Sequence, residues 1–189
     1  MEYVFEKKFE SVNFTLKPLA ETEYENCSFV RCDFSNSDIS RVRFLACEFI
    51  ECNLSLAKLA ETSFQDVKFN NCKMLGLHFD DCDEFCFAVR FENCILNHCV
   101  FFKLKLKKTI FRNCSLHEAD FVESDLESAV FDNCDLMGAM FDNTMLEKAD
   151  LRTSFNFSID PTKNKVKKAL FSLQGATGLL SIFDVRIEM

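Results

Sequence analysis

Large apolar residues recur at every fifth position along most of the chain. From Tyr24 the series runs through Phe29, Phe34, Ile39, Phe44, Phe49, Leu54, Leu59, Phe64, Phe69, Met74 and Phe79. After a break it resumes at Phe91 and continues, five residues at a time, through Phe101, Phe111, Phe121, Phe131 and Phe141 to Leu151. Phe9, Phe14 and Leu19 extend it backwards. A period of five matches neither the 3.6 of a helix nor the 2 of a long strand, so the chain must turn at regular intervals. Two residues before each large one there is usually a small one, such as Cys32, Cys52, Ala57, Cys94, Ala119, Ser124 or Ala149. Positions two apart on an extended chain share a face. Each five-residue cassette therefore sends one small and one large side chain into a common interior. Its other positions, mostly polar, face outward.

The cassettes Ala119-Asp120-Phe121, Ser124-Asp125-Leu126, Cys134-Asp135-Leu136 and Ala149-Asp150-Leu151 follow one formula: a small residue, Asp, then Leu or Phe. In this the chain resembles the pentapeptide repeat family over about three-quarters of its length. The resemblance implies an all-β fold, a right-handed quadrilateral parallel β-helix with four cassettes per coil. The cysteines test that coil length independently. Cys32, Cys52, Cys72, Cys94, Cys114 and Cys134 are spaced 20, 20, 22, 20 and 20 residues apart. Phe29, Phe49, Phe69, Phe91, Phe111 and Phe131 form a second column in step with them, and Asn71, Asn93, Asn113 and Asn133 a third. The columns agree only if two extra residues lie between Phe79 and Phe91, which we place within residues 80–87. Coils should stack at about 4.8 Å. Burying one large side chain contributes roughly 1.5–3 kcal/mol, less than the cost of ordering five residues at about 1–2 kcal/mol each. A lone coil fails, and stacking has to stabilise the whole.

Composition narrows the chemistry. The 189 residues are one repeat domain, 1–159, with a C-terminal element over 160–189. A formal net charge of −8 argues against nucleic acid or an anionic membrane as direct partner and permits a basic one. There is no long apolar run, and the charged N-terminus does not read as a leader. Eleven cysteines then point to buried thiols in a reducing, cytoplasmic setting rather than to disulfides. A row of sulfurs along one wall cannot surround zinc, so no metal site is expected. Cys82 and Cys86, in the insertion, are the thiols expected to react. His78, His98 and His117 sit at outward positions without catalytic company, and no phosphate loop or nucleophile motif occurs. The acidic Asp80–Glu84 stretch lacks the glycine turn of a calcium loop. We expect no enzyme, no cofactor and no small-molecule substrate.

Beyond Leu151 the repeat fails. The Asp160-Pro161 pair signals a turn, and an apolar segment follows. This tail resembles that of the Qnr-type and mycobacterial gyrase-interacting members of the family. The resemblance implies a final coil strand at Ala169–Phe171, a short helix over Gln174–Phe183 and an exchanged strand over 184–188. Phe171, Leu173, Leu179, Leu180, Ile182, Phe183, Val185 and Ile187 would then make a homodimer of charge −16, twice the chain's −8. The alternative is a helix that plugs its own coil.

The same resemblance implies a function: an acidic rod that binds DNA gyrase or topoisomerase IV as a DNA mimic, with quinolone resistance as a consequence. Glu48, Glu51, Asp66, Asp80, Asp81, Asp120, Asp125, Asp135 and Asp142 are the candidate partner-binding acids. Against mimicry stand the family's own use of Asp in its cassettes and the basic run Lys103, Lys105, Lys107, Lys108. The two-residue insertion is also shorter than the loops that Qnr proteins use to protect gyrase. A second reading is a protein–protein scaffold unrelated to DNA. Its surface would be Val100, Phe102, Val122 and Met140 on one wall, or Phe85 and Phe87 in the insertion.

Overall fold

The computed structural model describes residues 3–183 and 185–186. The cassettes fold into short extended segments. Those with regular strand geometry are β1 (Tyr3–Phe5), β2 (Lys8–Glu10), β3 (Glu23–Glu25), β4 (Ser28–Val30), β5 (Arg43–Leu45), β6 (Glu48–Ile50), β7 (Ser63–Gln65), β8 (Val67–Asn70), β9 (Val89–Glu92), β10 (Ile110–Arg112) and β11 (Val130–Asp132). All pair in parallel with the strand one coil away. Phe9 lies beside Phe29, Phe29 beside Phe49, Phe49 beside Phe69 and Phe111 beside Phe131. One sheet holds seven strands, from β2 to β11, and a second holds β1, β3, β5 and β7. The result is an all-β parallel solenoid with four walls.

We number the walls in chain order. Wall 1 is the seven-stranded sheet. Wall 2 carries the ladder Asp33, Asn53, Lys73, Ile95, Ser115, Asp135. Wall 3 carries His78, Val100, Asp120 and Met140. Wall 4 begins with the four-stranded sheet and continues through Lys105, Asp125, Met145 and Lys165.

Why five residues make a corner is visible in the backbone. The second residue after the large one adopts φ between about 50° and 69° at most corners, Gly76 and Gly138 among them. The next small residue donates its N–H to the carbonyl of the large one at many of them, as in Ala57 to Leu54 (3.1 Å) and Ser124 to Phe121 (3.1 Å). The cassette Asp braces the same bend. Its Oδ1 accepts the N–H two residues on, in Asp120 from Val122 (2.8 Å) and Asp135 from Met137 (3.2 Å). Short polar side chains that bond their own backbone favour such turns.

The interior is an aromatic column. On wall 1 the rings of Phe9, Phe29, Phe49, Phe69, Phe91, Phe111 and Phe131 stack at 4.7–5.3 Å. They meet the wall 3 column, Phe79 to Phe141, edge to face. Both arrangements suit the ring quadrupole. Ten of the eleven cysteines are buried. Most of their thiols bond backbone carbonyls of the preceding coil, Cys52 Sγ to Phe29 O at 3.2 Å among them.

The register advances by 20 residues up to Lys73 and by 22 between Lys73 and Ile95, His78 and Val100, and Phe69 and Phe91. The extra residues bulge from wall 4, after the short 3-10 turn Phe79–Asp81. Phe87 turns inward from this bulge and fills the space between Phe64 (6.4 Å) and Phe79 (6.3 Å). At the other end the tail forms two 3-10 turns, Gly175–Leu179 and Ser181–Phe183. Gly178 lies so close to Phe157 that an added Cβ would stand 2.3 Å from its carbonyl oxygen. Val185 and Arg186 are irregular; Asp184, Ile187 and Glu188, parts of the expected exchanged strand, lie outside the described residues.

Candidate interaction surfaces

Among the described residues no concave site gathers chemistry. Two surface hollows, each about 530 Å³, lie between the last coil and the tail and beside Leu56 and Gly76. Arg152, in the first, is held by both oxygens of Asp150 at 2.9 and 2.7 Å. Among the described residues no group of His, Cys, Asp and Glu is placed to hold a metal ion. None of their helices is long and apolar enough to cross a membrane. His117 Nε2 lies 2.8 Å from Asp135 Oδ2, His98 faces Glu118 at 3.4 Å and His78 faces Asp80 at 3.3 Å, each a surface pair.

The candidate acids do not form one face. Glu48 and Glu51 belong to wall 1, Asp135 to wall 2, Asp80, Asp81, Asp120 and Asp142 to wall 3, and Asp66 and Asp125 to wall 4. They ring the rod. Asp120, Asp125 and Asp135 are also turn braces of the kind described above. Burial pushes the Asp80 carboxyl up, against the pull of His78. Burial also raises Asp135, but hydrogen bonds from His117 and Asn156 outweigh it and leave that carboxyl below its usual range. On wall 4 Glu127, a residue the sequence reading did not single out, accepts from Lys148 (2.7 Å) and Lys107 (3.0 Å). Those bonds bring its pKa down to about 2.

The apolar candidates divide. Phe85 is 72% exposed, whereas Phe87 is packed against the core. On wall 3 Met140 is exposed, and Val100, Phe102 and Val122 are half-buried, with the Lys103 ammonium 4.6 Å over the Phe102 ring. In the tail, Phe171 and Leu179 pack against the core, Phe171 with its ring tilted on Phe157. Leu173, Leu180, Ile182, Phe183 and Val185 are exposed, Leu173 at 94%. Ile187 lies outside the described residues. Of the two thiols expected to react, Cys86 is exposed and Cys82 is buried, its thiol pushed well above the ordinary value by burial.

A rod built from stacked five-residue cassettes, with no catalytic cleft among its described residues, defines a class. Family models for the pentapeptide repeat region and for pentapeptide repeats match residues 22–88 and 106–150. The chain belongs to the pentapeptide repeat family. Among solved structures it is similar to a trypsin-treated point variant of QnrB1, described as a plasmid-mediated fluoroquinolone resistance protein. The TM-score is 0.64 at 16% identity, with 99% of each chain covered. A second trypsin-treated variant of QnrB1 gives 0.50 at 20% identity over the full length of both chains. No curated protein matches the chain in sequence.

Proposed function

We propose that this protein is a non-catalytic, homodimeric rod that binds a type II topoisomerase, DNA gyrase or topoisomerase IV, in place of DNA. The observation that carries the reading is the fold shared end to end with a fluoroquinolone resistance protein. Two features support it. Acids ring all four walls, as charge rings a duplex, and the net charge is −8. The exposed tail residues Leu180, Ile182 and Phe183 supply an apolar surface of the kind a two-fold partner covers. Binding would be electrostatic, with an on-rate that falls as salt rises.

The wall 3 strip favours a second reading, a scaffold whose partner is held through Val100, Phe102, Val122 and Met140. Gyrase supercoiling with added protein, with and without a quinolone, separates the two. Inhibition lost in moderate salt is expected for the topoisomerase reading, and rescue from the drug would extend it to protection. No effect at micromolar protein would sink it. Replacing Leu180 and Phe183 with Asp should yield monomers by sedimentation at moderate salt and weaken any gyrase effect at least tenfold.

A further inference from the structure

Wall 4 is electrically divided along its length. Its N-terminal half presents Glu23, Glu25, Asp66, Asp83 and Glu84, with Arg43 the one cation at the outward ladder positions described, paired with Glu23 at 3.3 Å. Its C-terminal half presents Lys105, Lys107, Lys108, Lys165, Lys167 and Lys168. Of the acids in that half, Asp125 is engaged by Lys107 and Glu127 by Lys107 and Lys148, and Glu147 stands as one acid among the lysines. Lys105, Lys108, Lys165, Lys167 and Lys168 have no ion pair among the described residues. The boundary between the halves is the insertion, where Phe85 is exposed.

We propose that wall 4 is a self-complementary surface that docks a second copy of this chain, antiparallel and side by side. The two-fold axis would lie in the interface, along the strand direction, midway between the insertion and the Lys105 coil. Such an axis reverses the rod direction and keeps each ladder position opposite its equivalent. Glu23 then faces Lys165 of the second copy, Glu25 faces Lys167 and Leu45 faces Glu147. Asp83 faces Lys105 and Phe85 faces Lys107, with Glu84 between the acidic and basic coils, and Asp66 faces Ser128. These pairings set no two like charges opposite each other. The outer pairs are equivalent by the two-fold and stand seven coils apart, about 34 Å at the strand spacing, so any other register loses both. The two Phe85 rings flank the axis and give the centre an apolar contact. An isologous interface requires this kind of self-complementarity. A polyanion would use the lysines alone and leave the acidic half repelling it.

The contact is distinct from any association through the tail, so its test is made with Leu180 and Phe183 both replaced by Asp. In that background we expect sedimentation equilibrium to show dimers at low salt that dissociate as salt rises. The triple variant K165E/K167E/K168E and the double variant E23K/E25K should each lose self-association at least tenfold. Mixed in equal amounts, they should recover it as a heterodimer, because each then carries one sign at both ends. Circular dichroism checks that both fold. Failure of the mixture to form a heterodimer, or wild-type association indifferent to salt, would overturn the proposal. Capture of the wild-type chain by a short DNA duplex, lost in the triple Glu variant, would overturn it too and reassign the lysines to a polyanion.

Discussion

At the residue scale the division of labour is by position within the cassette. The small residue and the large one are inside; the other three face solvent or form the corner. Cysteine serves as a small buried residue with a weak donor. Burial pushes the Cys47 thiol up to about 12, and the Cys99 thiol likewise. Cys86 is the exposed exception, at a corner of the insertion. Under native conditions a thiol reagent such as Ellman's should therefore titrate one rapid equivalent of the eleven cysteines, and none in Cys86→Ser. Two or more rapid equivalents would mean that the coils next to the insertion open readily. The spacing put both Cys82 and Cys86 outside the repeat, but spacing alone could not say which pointed inward. That depends on how seven residues, rather than five, span wall 4.

At the element scale the unit is a ladder rather than a strand. Asn113 shows how side chain and corner combine. It has φ 51°, donates to Asn93 Oδ1 at 3.0 Å and accepts from Asn133 Nδ2 at 2.9 Å. Asn tolerates the left-handed region better than most residues, and the amides repeat with the coil. Asn113→Ala loses both bonds and keeps the strained backbone. It should cost about 1–3 kcal/mol, read from the shift in urea midpoint, with Asn113→Gly costing less because glycine relaxes the corner. Equal costs would show that backbone strain contributes little here. This ladder was legible as a column of asparagines 20 and 22 residues apart. The tail was less legible. The resemblance implies a single helix over Gln174–Phe183, but the chain forms two 3-10 turns. Gly178 is drawn against the Phe157 carbonyl, and Ile159 donates to the Gly178 oxygen at 3.1 Å, contacts that no local pattern encodes. Phe87 is similar: its hydrophobicity was plain, but its direction was settled by the gap between Phe64 and Phe79.

For the whole molecule, contacts run mainly between successive coils, so the effect of a mutation depends on where along the rod it falls. Phe111 is fully buried, with stacked rings on both sides at 5.2 and 4.8 Å. Phe9 ends the column, stacks on one side and remains partly exposed. Phe111→Ala should cost about 3–5 kcal/mol, and Phe9→Ala markedly less, by equilibrium unfolding. Hydrogen exchange should show Phe9→Ala loosening only the first coils. If both variants lose stability equally, the rod unfolds as a single all-or-none unit. Fold and surface part company at this scale. The alternation that specifies the solenoid was readable residue by residue, because it repeats. The charge division of wall 4 was not, since its residues lie 20 apart in sequence and meet only after coiling; the lysine run at 103–108 was visible, but its link to Lys165, Lys167 and Lys168 was not.

The two extra residues of the insertion leave the neighbouring ladders intact. Phe69 still pairs with Phe91, and His78 with Val100. Chain length at that point is therefore uncoupled from the pitch of the solenoid. Lengthening a loop there adds only the closure entropy, about 0.6 kcal/mol for each doubling. The Asp83–Cys86 bulge is thus a natural graft point. A longer peptide or a small folded module inserted there would be carried at mid-rod on a stiff support, at a height fixed by the coils on either side.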